Sequence, residues 1–61
     1  MTVREYAKSV GFEVVGKLKR MKKNKRNGPA HYRYYIDEAG NEYWKSRIDG
    51  ICIVTADGGV I

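Results

Sequence analysis

Basic residues are the side chains with the clearest chemical potential in this chain, because most of them fall in one stretch. Twelve Lys and Arg stand against seven Asp and Glu, for a net charge of +5. Eight of the twelve lie from Lys17 to Arg33, and no acidic residue occurs between Glu13 and Asp37. A basic block attached to a nearly neutral body indicates an anionic partner, and phosphate is the anion that repeats along nucleic acids.

The other residues that could do chemistry do not converge on a catalytic site. His31 is the only histidine and has no assigned acidic partner. Cys52 is the only cysteine and lies between two isoleucines, which predicts a buried, inert thiol and excludes an intrachain disulfide. Asp37, Glu38 and Glu42 surround a turn, where polar residues serve the backbone. We therefore expect no enzyme activity, no cofactor and no metal site.

Length and composition predict one small globular domain, residues 1–61. The chain is 43% hydrophobic, which is not typical of a disordered protein. A core this small leaves little room for a substrate cavity. No apolar stretch approaches the ~20 residues of a membrane span, and the N-terminus is amphipathic, so we expect a cytoplasmic protein.

The elements that must position the basic residues begin with a predicted helix over residues 2–10. Thr2 with Glu5 three residues later matches a capping box. Gly11 stands where helices commonly end in a residue with positive φ. The apolar stripe of this helix consists of Val3, Tyr6, Ala7 and Val10.

Period-two alternation and turn residues predict strands after the helix. A mobile basic loop is expected at 22–29, and Asp49-Gly50 is a hairpin signal. The result is an α+β fold, in which a short N-terminal helix packs on a four-stranded antiparallel meander sheet. The predicted strands cover about 12–21, 30–37, 42–48 and 51–56.

The alternation also predicts two faces of the sheet. The core face, covered by the helix, would comprise Val14, Leu18, Tyr34, Ile36, Trp44, Ile48, Ile51 and Ile53. The opposite face would interleave cations with aromatic rings, namely Lys17, Lys19, Arg33, Tyr35, Tyr43, Lys45 and Arg47. Arg20 and the loop cations Lys22, Lys23, Lys25 and Arg26 would extend that surface.

Such a surface predicts nucleic-acid binding, to DNA or RNA, by a small accessory protein of a phage or another mobile element. Lys and Arg would neutralise phosphates, with release of counterions. Tyr35 and Tyr43 would stack on bases or hydrogen-bond to phosphates. The alternative structural interpretation is that these cations serve only solubility and protect sheet edges from pairing.

A second functional hypothesis is a protein-interaction module or inhibitor that docks on an acidic protein surface. Residues 51–56 motivate it, because Cys52 and Val54 make this strand apolar on both sides. An apolar edge strand can pair with a partner, and the simplest version is a homodimer through this strand.

Two segments resemble parts of known DNA-binding families. TVREYAKSVG, residues 2–11, resembles the first helix of small helix-turn-helix regulators and excisionases of mobile elements, which implies a second helix at 12–20. Val14-Val15-Gly16 departs from that pattern, because these residues are poor helix formers. Residues 31–47, with their DEAGNE turn, are similar in outline to the three-stranded sheet domains at the N-termini of phage-type integrases, which use a sheet face on the major groove. Neither similarity identifies a family.

Overall fold

The computed structural model describes residues 1–21 and 32–61, and they form a helix followed by a sheet. The elements are α1 Val3–Ser9, β1 Lys19–Arg20, β2 Arg33–Ile36, β3 Glu42–Ser46 and β4 Gly50–Val54. The strands are ordered β1-β2-β3-β4 and every neighbouring pair is antiparallel, which confirms the predicted α+β fold with a meander sheet. The loop predicted at 22–29 lies outside the described residues. None of the helical structure within the described residues is long and apolar enough to cross a membrane.

Helix α1 is stabilised at its start by the predicted capping box. The Thr2 hydroxyl accepts a hydrogen bond from the Glu5 amide at 3.1 Å, and the Glu5 carboxylate accepts one from the Thr2 amide at 2.7 Å. A helix of seven residues is not stable alone in water. The burial of Val3 and Ala7 against the sheet is therefore what keeps α1 folded.

The segment before β1 differs from the prediction. Only Lys19–Arg20 forms a strand, and residues 12–18 form neither a strand nor a second helix, so both interpretations of this segment are wrong there. The Val15 amide donates to the Asp37 carboxylate at 3.1 Å, and the Glu38 amide donates to the Val15 carbonyl at 2.9 Å. A side-chain carboxylate thus takes the place of a neighbouring strand, which alternation in the sequence does not reveal.

Gly16 shows why this segment leaves the extended conformation. Its φ is +68°, a region that residues with a Cβ rarely adopt. The Glu38 carboxylate occupies the space that a Cβ at Gly16 would need, and it accepts a hydrogen bond from the Lys17 amide at 2.9 Å. The Arg4 guanidinium donates to the Gly16 carbonyl at 2.9 Å, so α1 and the 37–41 turn hold this residue from both sides.

The face of the sheet that α1 covers, here called the helix face, is not the one that alternation predicted. Tyr43 and Ile53 are fully buried beneath Val3 and Ala7, and Tyr35 packs beside them. Tyr35, Tyr43 and Ile53 are directly paired across the three strands. The prediction that Trp44 lies inside and Tyr43 outside is therefore wrong.

The opposite surface, here called the far face, carries Tyr34, Ile36 and Trp44, which alternation placed beneath the helix. Tyr34 is nevertheless only 1% exposed, so its prediction as a buried residue is confirmed although the predicted face is wrong. Tyr34, Trp44 and Cys52 are directly paired across β2, β3 and β4, and Ile36 lies on the same side. Ile48, also expected in the core, is 79% exposed in the turn between β3 and β4. The predictions for Val14, Leu18 and Ile53 are confirmed, since the first two pack against the core and Ile53 lies within it.

After β4 the chain turns and returns to the outer edge of that strand. Val54 and Val60 form an isolated bridge. Ile53 and Ile61 exchange two backbone hydrogen bonds, of 3.2 and 2.8 Å. Part of the β4 edge is thus already paired within the chain.

Candidate nucleic-acid interface

Strand register brings three of the predicted cations together on the helix face. Arg33 on β2 lies directly opposite Lys45 on β3. Arg20 on β1 lies opposite Tyr35, which is two residues after Arg33 and therefore on the same face. We call Arg20, Arg33 and Lys45 the basic cluster.

The basic cluster is electrostatically unfavourable for the free protein. Directly opposite residues in an antiparallel pair have Cβ atoms about 4.5–5.5 Å apart, and like charges placed there destabilise the pair. Arg20 and Arg33 are exposed and Lys45 is half-buried. Within residues 1–21 and 32–61, no acidic side chain forms a salt bridge with these three cations. The positive charge of the cluster is therefore available to a ligand.

One acidic residue lies within electrostatic range of the cluster without neutralising it. The pKa of Glu5 is lowered by its hydrogen bonds with Thr2 first, and only in small part by the charge of Lys45. Glu5 is committed to capping α1 through the Thr2 amide. Glu5 therefore does not neutralise the charge of Lys45.

The two tyrosines predicted for the binding surface have different environments. Tyr43 is 0% exposed, and burial together with its hydrogen bond to Asp37 raises the pKa of its hydroxyl well above the ordinary value. A ring in this position cannot contact a base. Tyr35 is half-buried and lies between Arg20 and Arg33, with its ring against the core. Of the two, only Tyr35 borders the basic cluster.

The remaining predicted cations are spread over other parts of the molecule. Lys19 lies opposite Ile36, on the far face. Lys17 is exposed in the irregular segment, and Arg47 is exposed in the turn after β3. The predicted loop cations Lys22, Lys23, Lys25 and Arg26 lie outside the described residues.

The far face carries an aromatic group, Tyr32, Tyr34 and Trp44. The sequence placed Tyr34 and Trp44 on one face but assigned that face to the helix. The ring centroids are 5.9 Å apart for Tyr32 and Tyr34, 5.1 Å for Tyr34 and Trp44, and 6.4 Å for Tyr32 and Trp44. Their polar atoms donate to carboxylates, from the Tyr32 hydroxyl to Asp49 at 2.8 Å and from the Trp44 indole to Glu42 at 3.0 Å. Acidic groups therefore border this aromatic group.

A buried carboxylate organises the end of the sheet away from the basic cluster. Asp37 is 6% exposed and accepts five hydrogen bonds of 2.8–3.1 Å, from the amides of Val15, Ala39 and Asn41, the Asn41 side chain and the Tyr43 hydroxyl. Burial by itself raises the pKa of Asp37, but these hydrogen bonds outweigh it and hold the pKa well below the ordinary value. Asp37 is thus a structural carboxylate.

The sequence indicated a turn at Asp37 but not the burial of its side chain. An Asp that ends an apolar strand, with Asn41 four residues later, is the signal that could have found it. Asn41 extends the network, because its side-chain oxygen accepts the Ala56 amide at 2.9 Å. The turn between β2 and β3 is thereby tied to the end of β4.

Of the groups considered for catalysis, His31 lies outside the described residues and Cys52 lies within them. Cys52 is half-buried, and burial raises the pKa of its thiol, which is opposite to what a nucleophile needs. Among residues 1–21 and 32–61, no group of His, Cys, Asp or Glu could hold a metal ion.

Comparison of the chain with protein-family models, curated proteins and solved structures finds no match. The similarity to helix-turn-helix proteins also fails structurally, because residues 12–20 form no second helix. A function for this protein must therefore be inferred from the chemistry of its own residues.

Proposed function

We propose that this protein is a non-enzymatic nucleic-acid-binding protein that holds phosphate groups through the basic cluster. The observation that supports this most directly is the pairing of Arg33 with Lys45 across two strands. Opposite charges at these two positions would stabilise the sheet, whereas two cations destabilise it. An anionic ligand neutralises both cations and removes the repulsion.

The three cations differ in what they offer a phosphate. The guanidinium groups of Arg20 and Arg33 can each donate two parallel hydrogen bonds to phosphate oxygens. Lys45 adds a point charge opposite Arg33, and the hydroxyl of Tyr35 can donate a further hydrogen bond at the border of the cluster. Such contacts fix a nucleic acid by its backbone. The loop cations at 22–26 continue the chain from β1 and are expected to add salt-dependent affinity.

The alternative of docking on an acidic protein surface uses the same charges, but its homodimer version has less support. Pairing of two β4 strands needs unpaired backbone groups along the outer edge. Ile53 already uses its amide and carbonyl there with Ile61. We therefore favour a phosphate ligand for the cluster.

Amide chemical-shift titration maps the interface most directly, with duplex DNA, single-stranded DNA and RNA at low and at physiological salt. We expect shifts centred on Arg20, Arg33, Tyr35 and Lys45 that persist at physiological salt. Shifts that disappear with salt, or that are confined to residues 22–26, would show that the cluster is only a solvated surface.

A matched pair of variants separates local contact from total charge. Arg33→Gln and Lys8→Gln each remove one positive charge, but Lys8 lies in the last turn of α1 and outside the cluster. Anisotropy with labelled nucleic acid should show weakened binding for Arg33→Gln and nearly unchanged binding for Lys8→Gln. Equal losses would mean that affinity depends on net charge alone.

A further inference from the structure

The two chemical features that single-stranded nucleic acids need lie on opposite faces of this sheet. Proteins that bind single strands combine a cationic groove with aromatic rings on which successive bases stack. Here the basic cluster is on the helix face, and the aromatic group is on the far face. The thickness of the sheet separates them.

Neither tyrosine of the helix face offers an open ring beside the basic cluster. Tyr43 is fully buried beneath α1, and its hydroxyl is bound to Asp37. The ring of Tyr35 packs against the core, which leaves its polar end as the part suited to contact with a ligand. The described residues of this face can bind phosphates, but they provide no platform for bases.

The far face has rings, but they offer little open surface to a base, because Tyr34 is only 1% exposed. The Tyr32 hydroxyl and the Trp44 indole donate hydrogen bonds to Asp49 and Glu42, so two carboxylates border these rings. The Tyr34 and Trp44 rings also meet edge to face, at an interplanar angle of 64°. A base would have to separate rings that already contact each other favourably.

We infer that the ligand of the basic cluster is a double-stranded nucleic acid, held by its phosphates without readout of its bases; this inference rests on the proposed function. Arg20 and Lys45 lie on strands two positions apart and two residues out of register, which corresponds to about 10 Å across the sheet and about 7 Å along it, or about 12 Å in all. The grooves of B-DNA separate rows of phosphates by about 6 and 12 Å. Cations at the spacing of the cluster can contact both rows, whereas a single strand presents only one.

The test compares affinity and tryptophan fluorescence for the full chain. Anisotropy is measured with labelled duplex DNA, duplex RNA and the matching single strands at one salt concentration. Trp44 is the only tryptophan, so its emission reports on the far face alone. We expect a duplex to bind at least about tenfold more tightly than its single strands, since unstacked bases contribute nothing here. Trp44 emission should stay unchanged at saturation, and Trp44→Phe should bind as the wild type does.

The outcomes distinguish this inference from the proposed function. Single strands that bind as tightly as duplexes, or that quench Trp44, would overturn the inference while leaving nucleic-acid binding intact. Absence of binding to every nucleic acid at low salt would overturn the proposed function itself. So would binding that Arg33→Gln leaves unchanged.

Discussion

The two ends of the sheet concentrate charge in opposite ways. At the 37–41 turn, the charge of Asp37 is buried and saturated by five hydrogen bonds. At the other end, Arg33 is exposed and faces a second cation, Lys45. The first arrangement stabilises the fold, and the second destabilises it. A charge that the fold requires is thus enclosed by its partners, whereas the cations that we propose bind a ligand have no acidic partner among residues 1–21 and 32–61.

Removal of the buried charge should have the largest effect. Asp37→Ala leaves several donors without an acceptor, and each buried donor of this kind costs about 1–3 kcal/mol. A domain of this size has only about 3–5 kcal/mol of net stability. We expect the variant to be unfolded at room temperature by circular dichroism. Asp57→Ala, which removes an exposed turn carboxylate, should remain folded. Cooperative melting of Asp37→Ala at the wild-type temperature would contradict the role given to this turn.

Low pH should lower the free energy of unfolding through protonation of Asp37. The pKa of Asp37 is lowered in the folded state, so its contribution is complete above the ordinary aspartate pKa of about 4 and is lost as the pH falls below it. Urea unfolding at a series of pH values should show this decline. Asp37→Asn, if it folds, should lose less stability between about pH 4 and lower pH than the wild type does. If its stability falls with pH as steeply as that of the wild type, another group causes the acid sensitivity.

Substitution at Gly16 should have the next largest effect. Gly16→Ala places a Cβ where the Glu38 carboxylate lies and also keeps a φ of +68°. Gly11→Ala is the matched control, because its φ is +77° but no atom lies within 4 Å of the new Cβ. Both variants should lose about 1 kcal/mol from the backbone conformation, and Gly16→Ala should lose more. Equal free energies of unfolding would indicate that Glu38 moves away without cost.

The smallest expected effect is a gain in stability at the end of the sheet that carries the basic cluster. Arg33→Gln removes the repulsion with Lys45, so the free energy of unfolding should rise by about 0.2–1 kcal/mol at low salt. The gain should shrink at high salt, where charges are screened. A loss of stability in urea unfolding would show that Arg33 serves the fold after all.

Sequence reasoning succeeded where the determinants are local. The Thr2–Glu5 capping box and the four strands in a meander both follow from residues near each other in the chain. The irregular conformation of residues 12–18 could not be predicted from neighbouring residues. It depends on hydrogen bonds between Val15 and residues more than twenty positions later.

The sequence predicted most residues of the candidate site but not their positions relative to one another. Arg33 and Lys45 were expected on one face, and register makes them direct neighbours. Tyr43 was expected beside them in solvent, but its hydroxyl binds Asp37 and draws the ring into the core. Alternation divides a strand into two faces without saying which one a helix covers, because that choice depends on partners distant in sequence.

Our central proposal, that the basic cluster binds a phosphate ligand, is tested most directly by the salt dependence of duplex binding. The slope of log K against log salt counts the phosphates that the protein neutralises. For Arg33→Gln the slope should be about one unit shallower than for the wild type, with Lys8→Gln close to the wild type. Equal slopes for the wild type and Arg33→Gln would show that Arg33 contacts no phosphate, and would contradict the account.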